Sequence, residues 1–359
     1  MRAVKKLLAI SLLVPLVLLF LPLCVRAESV TEKLGEDFME LIPEEYGELT
    51  DSEAVTEVIS IGNIINEIIS AFTGEGGVIS FFLLLMGLSL FGCLAAAMPS
   101  VSEIAESGAS VISCGIIYEV IYPKIAYAAE CLSEAVSFFG GVIPVMIGIS
   151  SASGSTVTAA AQGATMSLML SVVSGFCVKL ILPLAVFGVA LGAFCGVGDL
   201  DASNLSVGVR NLFLWLTGIG SAVITGAMSL QTVISSSADT AAIRAAKYSA
   251  ANLIPIVGGT VSSALSTLSA GAAYLKSSVG ATTVAVLMSV LISPLVTLLL
   301  YRGAISLVVT VSGFFGAGAV TRSLTAIRGA LDSVCAVFSL CALIFIMQTV
   351  LFMKGGAQI

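Results

Sequence analysis

The hydrophobic positions of this chain fall into long uninterrupted runs rather than into an alternating pattern. The clearest run, Val78 to Met98, has 21 residues without a charge and is stopped by Pro99. A helix needs about 20 apolar residues to cross the hydrocarbon core of a bilayer. Further runs cover residues 109–129, 136–150, 166–197, 211–234, 253–275, 279–301, 303–320 and 331–353. The pattern predicts six to nine membrane-embedded helices, of which 109–129 is the least regular.

Composition supports a membrane-embedded fold. The chain has 359 residues, of which 58% are hydrophobic and only 10% are charged, and its mean hydropathy is +1.10. A soluble domain carries about 25% charged residues. In lipid only helices and closed barrels satisfy their own backbone, and barrels need alternating residues. We therefore predict an all-α, polytopic integral membrane helical bundle over residues 76–359.

Residues 1–27 are typical of a cleavable signal peptide. A basic start and an apolar core from Leu7 to Leu23 precede a small-residue cleavage site that ends at Ala27. Cleavage would place Glu28 at an extracytoplasmic mature N-terminus. The alternative is an uncleaved membrane anchor.

Residues 28–75 are a predicted acidic, amphipathic, extracytoplasmic segment. They hold thirteen of the 22 acidic residues, with Lys33 as their single base. Apolar residues recur at helical spacing on both sides of Pro43. Because an acidic helix is repelled by anionic lipid, the segment is interpreted either as a partner-binding surface or as a solvated helix that packs on the first span.

Shifting the sequence by 111 residues aligns two parts of the chain without a gap. The coinciding pairs include Pro144 with Pro255, Gly148 with Gly259, Ser151 with Ser262, and Pro183 with Pro294. The chain has only nine prolines, so these coincidences carry more weight than matches of Ala or Ser. The sequence predicts an internal repeat, about 128–235 and 239–346.

The repeated segments 142–164 and 253–275 are rich in Gly, Ser and Thr, and each opens with a proline. Paired, interrupted apolar segments in two halves of a membrane protein are typical of a substrate path between the halves. In the alternative, the hydroxyls bond back to their own helix and the segments are plain packing helices. The residues leave both interpretations open.

Two basic pairs, Arg244 with Lys247 and Arg322 with Arg328, are expected to mark loops that face the cytoplasm. An even number of crossings must then separate the two loops, whereas three apolar runs lie between them. Either 253–275 does not fully cross, or two of the runs form one long helix.

Candidate chemistry is sparse. The chain has no histidine, which removes Ser-His-Asp catalysis, the HExxH zinc site and histidine proton relays. Gly196-Val197-Gly198-Asp199 matches the GxGD pattern of intramembrane aspartyl proteases, but a second aspartate in a neighbouring span is missing. A helix end followed by a polar loop explains this motif without chemistry. We predict no enzyme, no cofactor, no metal site and no nucleic-acid partner, and the seven cysteines beyond the signal peptide are expected to pack between helices.

Ionisable residues inside apolar runs are costly and are therefore candidates for a path. Four residues qualify: Glu119, Lys124, Lys179 and Arg302. Lys179 can instead reach the membrane interface, and Arg302 can mark a turn between two spans. The predicted path or gating set is Glu119, Lys179, Pro144, Gly148, Ser151, Pro255, Gly259, Ser262 and Pro294.

The stretch from Ala241 to Phe315, with the sequence IPIVGG at Ile254–Gly259, resembles the stage III sporulation protein AE family of endospore-forming bacteria. The segment GISSASGSTVTAAA, which begins at Gly148, and the layout of signal peptide, acidic stretch and apolar bundle are also similar. The resemblance covers most of the chain and is strongest from about residue 140 to residue 320.

This resemblance implies a membrane component of a channel-like complex between the mother cell and the forespore, needed for late forespore gene expression. It implies the mother-cell membrane around the forespore as the location, and other stage III sporulation membrane proteins and a forespore protein as partners beside membrane lipid. The family has no established catalytic residues. The competing hypothesis is a self-contained secondary transporter with two repeats, for which Glu119 is the candidate coupling carboxylate.

Overall fold

The computed structural model describes residues 77–96, 102–153, 155–197, 258–316 and 318–354, with isolated positions between 208 and 229. These ranges contain no strand. Their helices are α1 (Val78–Ala96), α2 (Ser102–Ala152), α3 (Thr156–Val172), α4 (Lys179–Val197), α5 (Gly258–Phe315) and α6 (Gly318–Lys354), and a π-helical turn (Val173–Val178) joins α3 to α4. The all-α prediction is confirmed. The predicted signal peptide, the acidic segment and Pro255 lie outside the described residues.

Four helices in the described part are long and apolar enough to cross a membrane: Ile104–Ala152, Thr156–Val197, Gly271–Phe315 and Gly318–Met353. Val78–Leu94 and Gly218–Ala227 are shorter apolar helices. Apolar stretches of this length, which satisfy their backbone internally, are what a bilayer requires. The chain is therefore an integral membrane helical protein.

The first half of the described fold is a long antiparallel hairpin of α2 against α3 and α4. Its turn lies at Ser153–Ser155, where Ser155 N–H donates to the Ser150 carbonyl at 3.2 Å. Near this turn Gly163 lies against Ile147, and at the opposite end Gly196 lies against Ser110. The π-helical turn keeps α3 and α4 in one continuous helical rod.

The second half is the hairpin of α5 and α6, which points in the opposite direction. It turns at Gly316, whose φ of 80° is the left-handed conformation that glycine adopts without strain. Ser323 near this turn contacts Ser110, whereas Phe345 near the other end of α6 packs on Phe139 with ring centroids 5.2 Å apart. The turn of each hairpin therefore lies beside the open end of the other.

Helix α1 packs beside the turn of the second hairpin. Phe81 meets the ring of Tyr301 edge-on at 5.2 Å between centroids, and Cys93 Sγ lies 2.8 Å from the Phe315 carbonyl oxygen. The buried core that results is continuous and mostly apolar, and its largest fully buried side chains include Leu132, Phe139 and Phe338. It also contains buried polar residues, among them Lys276 and Gln348.

Several predicted breaks between spans are wrong. The runs 109–129 and 136–150 belong to the single 51-residue helix α2, which contains Pro123 and Pro144. In the same way, α5 joins 279–301 to most of 303–320 and to the end of 253–275. Proline is tolerated inside membrane helices because neighbouring helices and local adjustments satisfy the backbone groups that it frees.

The topology argument from basic loops is also corrected. The three apolar runs between the two basic pairs, 253–275, 279–301 and 303–320, all contribute to the one helix α5. The alternative in which two runs form one long helix is therefore right in part, but the third run belongs to that helix as well. Arg322 and Arg328 lie inside α6 and not in a loop. A straight helix crosses a bilayer once, so the single helix α5 does not supply the even number of crossings that this argument required.

The internal repeat stays a prediction, and one of its local features is not reproduced. The first repeated segment, 142–164, contains the helix break at Ser153–Ser155. The corresponding positions in the second segment lie within the continuous helix α5. The two segments therefore differ in local structure where both are described.

Candidate functional site

Most of the predicted path residues lie on the outside of the bundle. Pro144, Gly148, Ser151 and Glu119 are all exposed on α2, and Lys179 is exposed at the start of α4. The residues buried from the same helix are others, such as Met146 and Ser150. The first repeated segment therefore does not present its predicted path residues to the interior of the described bundle.

In the second repeat only Pro294 of the predicted path residues has a described environment. Pro294 is buried inside α5. Gly259 and Ser262 lie in the first turns of α5, and their side chains are outside the described ones. The predicted path residues that the structure describes, Glu119, Pro144, Gly148, Ser151, Lys179 and Pro294, do not meet around one central cavity.

An ion pair that the sequence did not predict joins the second hairpin. Arg302 Nε donates to Asp332 Oδ1, and the two side chains are 20% and 12% exposed. Arg302 lies in the middle of α5, so its interpretation as a turn between two spans is wrong. The available signal was that the two residues carry opposite charges beside long charge-free runs. Their separation of 30 residues does not specify the pairing, and Arg328 is a nearer candidate partner of Asp332 in sequence.

Polar contacts close the bundle at the end that holds the turn of the second hairpin. The hydroxyls of Ser110 and Ser323 bond to each other, and both residues are fully buried. Ala319 N–H at the start of α6 donates to Glu106 Oε2 at 3.3 Å. A carboxylate there satisfies an otherwise unpaired helix N–H and interacts favourably with the helix dipole.

A second polar contact lies near the turn of the first hairpin. Ser150 Oγ donates to Gln162 Oε1 at 3.0 Å, and both residues are buried. In α5, Thr282 and Thr283 bond back to carbonyl oxygens one turn earlier, at 3.1 and 2.7 Å. These threonines, which lie outside both repeated segments, bond back to their own helix, whereas Ser150 in the first repeated segment links two helices.

Between these two polar contacts the interior face of α2 is apolar except for Ser113, whose hydroxyl bonds back to the Ala109 carbonyl oxygen. Its buried residues there include Ile117, Ile121, Ile125, Leu132 and Phe139. A groove between α2, α4 and α6 lies at the same depth and is lined by apolar side chains and the stacked rings of Tyr118 and Tyr122. This lining offers no row of polar groups for a hydrophilic solute.

The seam between α4 and α6 is held by glycines one turn apart. Gly188 faces the methyl group of Ala330, Gly192 faces Ile327, and Gly196 faces Ser323 and Ser110. Small residues let membrane helices approach closely where lipid supplies no hydrophobic drive. Gly196 of the GxGD motif is thus a packing residue at a helix end, and Asp199 lies outside the described residues.

The described side chains contain no group of three or more Cys, Asp or Glu residues arranged to hold a metal ion. The cysteines described are all free thiols. The arrangement holds long helices in register and presents exposed polar residues such as Glu119 and Ser151 along α2.

These features define a polytopic α-helical membrane protein whose described core is held by close helix packing. The chain belongs to the stage III sporulation protein AE family, whose model matches residues 40–356. This match confirms the family resemblance.

One curated relative is the stage III sporulation protein AE of Bacillus subtilis (strain 168). It is 22% identical to this chain over 260 residues, which cover 70% of this chain and 65% of the relative. No solved structure matches the chain.

Proposed function

We propose that this protein is a membrane component of the channel complex that joins the mother cell to the forespore. Its place would be the mother-cell membrane around the forespore, with the mature N-terminus outside the cytoplasm. Its partners would be other stage III sporulation membrane proteins and a protein of the forespore. In this role it supports the passage of small molecules and thereby late forespore gene expression.

The observation that carries this proposal is where the polar groups lie. Between the Ser110 and Ser150 contacts the interior face of α2 is apolar except for Ser113, whereas Glu119, Gly148 and Ser151 are on the outside. A hydrophilic path beside this chain would therefore run along its surface and would need other subunits to enclose it. That arrangement favours a subunit of an assembly over a transporter with its own central path.

Crosslinking in sporulating cells tests the assembly. A tagged full-length chain would be crosslinked in intact cells during engulfment and purified under denaturing conditions, with vegetative cells that express the same chain as the control. We expect other stage III membrane proteins and a forespore membrane protein to be recovered in sporulating cells only. Recovery of this chain alone under both conditions would contradict the proposal.

The transporter alternative is tested at Glu119. Ion coupling in a secondary transporter relies on a carboxylate at the substrate path, and Glu119 lies on the outer surface of α2. We expect Glu119→Gln to leave the number of heat-resistant spores within a factor of about 2 of wild type, because one neutralised surface charge changes a contact by less than about 1 kcal/mol. Loss of sporulation at normal protein level would support the transporter.

A further inference from the structure

One arginine of the second hairpin has no acidic partner, whereas the two arginines on either side of it are close to carboxylates. Arg302 on α5 bonds to Asp332 on α6. Arg322 and Glu106 both lie beside the first turn of α6. Arg328 lies between these two sites, is half-buried, and forms neither an ion pair nor a hydrogen bond with any described residue.

The height of Arg328 in the bundle follows from the contacts of α1. Helix α1 runs parallel to α5, as the contacts at its two ends show, and therefore antiparallel to α6. Val320 on α6 lies against Gly92 on α1. Arg328 is eight residues further along α6, a rise of about 12 Å. This height corresponds to Leu84, near the middle of α1.

The surface at this height faces lipid. Helix α1 carries no charge, and Leu83 and Leu84 are 61% and 51% exposed on it. Leu307, at nearly the same height on α5, is 59% exposed. Large exposed apolar side chains of this kind are what lipid-facing helices carry. The neighbouring run 331–353 of α6 is also apolar, with a single charge. Arg328 therefore lies at membrane depth.

An unpaired guanidinium at membrane depth is costly, and such groups pair with other groups or face a water-filled cavity. A lipid phosphate is a poor partner for Arg328. The nearer end of α1, Val78, is about 9 Å from Leu84 along the helix, and side chains on α6 lean toward the N-terminus of that helix, away from this end. A carboxylate carried by another membrane helix lies at the required depth and forms a strong, two-pronged bond with a guanidinium.

The other exposed polar groups beside Arg328 are already satisfied. The hydroxyl of Thr325 on α6 donates to the Thr321 carbonyl oxygen at 2.6 Å. The hydroxyl of Thr310 on α5 donates to the Ser306 carbonyl oxygen at 2.8 Å. The guanidinium of Arg328 is thus the group on this part of the surface that calls for a partner.

We propose that Arg328 pairs with a carboxylate in a membrane helix of a different protein. The inference rests on the proposed assembly role and names one contact through which it acts.

A second copy of this chain fits less well, because copies in a closed ring lie at the same height. The exposed carboxylate of α2 nearest to that height is Glu119. Measured from the contact of Ser110 with Ser323, Glu119 lies nine residues along α2 and Arg328 five residues along α6. The two residues therefore differ in height by about 6 Å.

Site-specific photocrosslinking in sporulating cells tests the contact. A photoreactive amino acid would replace Thr325, which is exposed one turn from Arg328, in the full chain. The matched control carries it in place of Leu84, at a similar height on α1. We expect position 325 to crosslink to one membrane protein, at an apolar segment that contains Asp or Glu in the mapped peptide. Position 84 should not crosslink to that protein.

Charge reversal supplies the second arm. In the chain with the photoreactive residue at 325, Arg328→Glu should lower the adduct yield by about tenfold or more, as expected for a close charge pair at an interface. Arg328→Lys keeps the charge and should lower the yield less. Changing the mapped carboxylate of the partner to Lys should restore the adduct of the Arg328→Glu chain. All chains should reach the same level in membranes.

A third arm does not depend on the partner. Arg328 has no partner in its own chain, so Arg328→Met should leave the unfolding temperature of the purified full chain in detergent unchanged or raised. Arg302→Met is the matched control and should lower it, because it removes an ion pair within the chain.

Five outcomes would overturn the proposal. They are the absence of an adduct from position 325, an adduct to a second copy of this chain, an adduct whose yield ignores Arg328→Glu, and an unfolding temperature that Arg328→Met lowers as much as Arg302→Met. The fifth is modification of the Thr325→Cys chain, but not of the wild type, by a membrane-impermeant thiol reagent, which would place water beside Arg328. If whole-chain crosslinking still recovers partners in any of these cases, the assembly role stands and only the contact at Arg328 is wrong.

Discussion

Gly188 on α4 offers a direct test of the close helix packing described above. A Cβ at this position would overlap the Cβ of Ala330 on α6, and alanine has no rotamer through which to move away. Relief requires the two helices to separate. Overpacking of this kind costs about 1–3 kcal/mol, whereas replacing glycine by alanine in a helix gains about 1 kcal/mol of propensity.

The matched control is Gly148→Ala on α2, since Gly148 has no heavy atom within 4 Å of its Cβ position. Only the propensity gain applies there, so we expect Gly188→Ala to be less stable than Gly148→Ala by about 1–3 kcal/mol. Thermal unfolding of the purified proteins in one detergent measures the difference. The reciprocal double variant, Gly188→Ala with Ala330→Gly, should recover most of the steric loss. The reasoning fails if Gly188→Ala unfolds at or above the temperature of Gly148→Ala.

Two further variants test the polar contacts by the same unfolding assay. Arg302→Met should lower the free energy of unfolding by about 3–5 kcal/mol, because it leaves Asp332 partly buried without its cation. Exchanging the two residues (Arg302→Asp with Asp332→Arg) should restore part of this loss. Equal stability of the wild type and both variants would contradict a structural ion pair. Ser150→Ala should lower the free energy of unfolding by about 1–3 kcal/mol, because it leaves the buried amide oxygen of Gln162 without a donor. Ser153→Ala in the turn should lower it less. The reverse order would be evidence against a stabilising bond between Ser150 and Gln162.

Helix positions were well predicted because apolar runs and their lengths are local properties of the sequence. The first span was expected to end at Pro99, and α1 is described to Ala96. The run 331–353 lies wholly within α6. In both cases an apolar run of bilayer length, with Asp332 as the single charge in the second run, is sufficient information.

Helix breaks were poorly predicted because the cost of a proline or a charge depends on its neighbours. Pro144 was taken to open a broken segment, yet it lies inside α2. Arg302 was assigned to a turn, yet Asp332 accepts its hydrogen bond inside a two-helix contact. The groups that offset these costs come from residues distant in sequence, which periodicity does not reveal.

The orientation of α2 was the other feature beyond the reach of sequence reasoning, and it changes what the family role requires. In a helix with small or apolar residues on every side, the sequence does not show which side packs inward. The structure turns Ile117, Leu132 and Phe139 inward and Glu119 and Ser151 outward. The sequence left open whether the repeated segments line a path or only pack, and the interior that α2 lines from Cys114 to Met146 is apolar. A hydrophilic path beside α2 would therefore run along its outer surface.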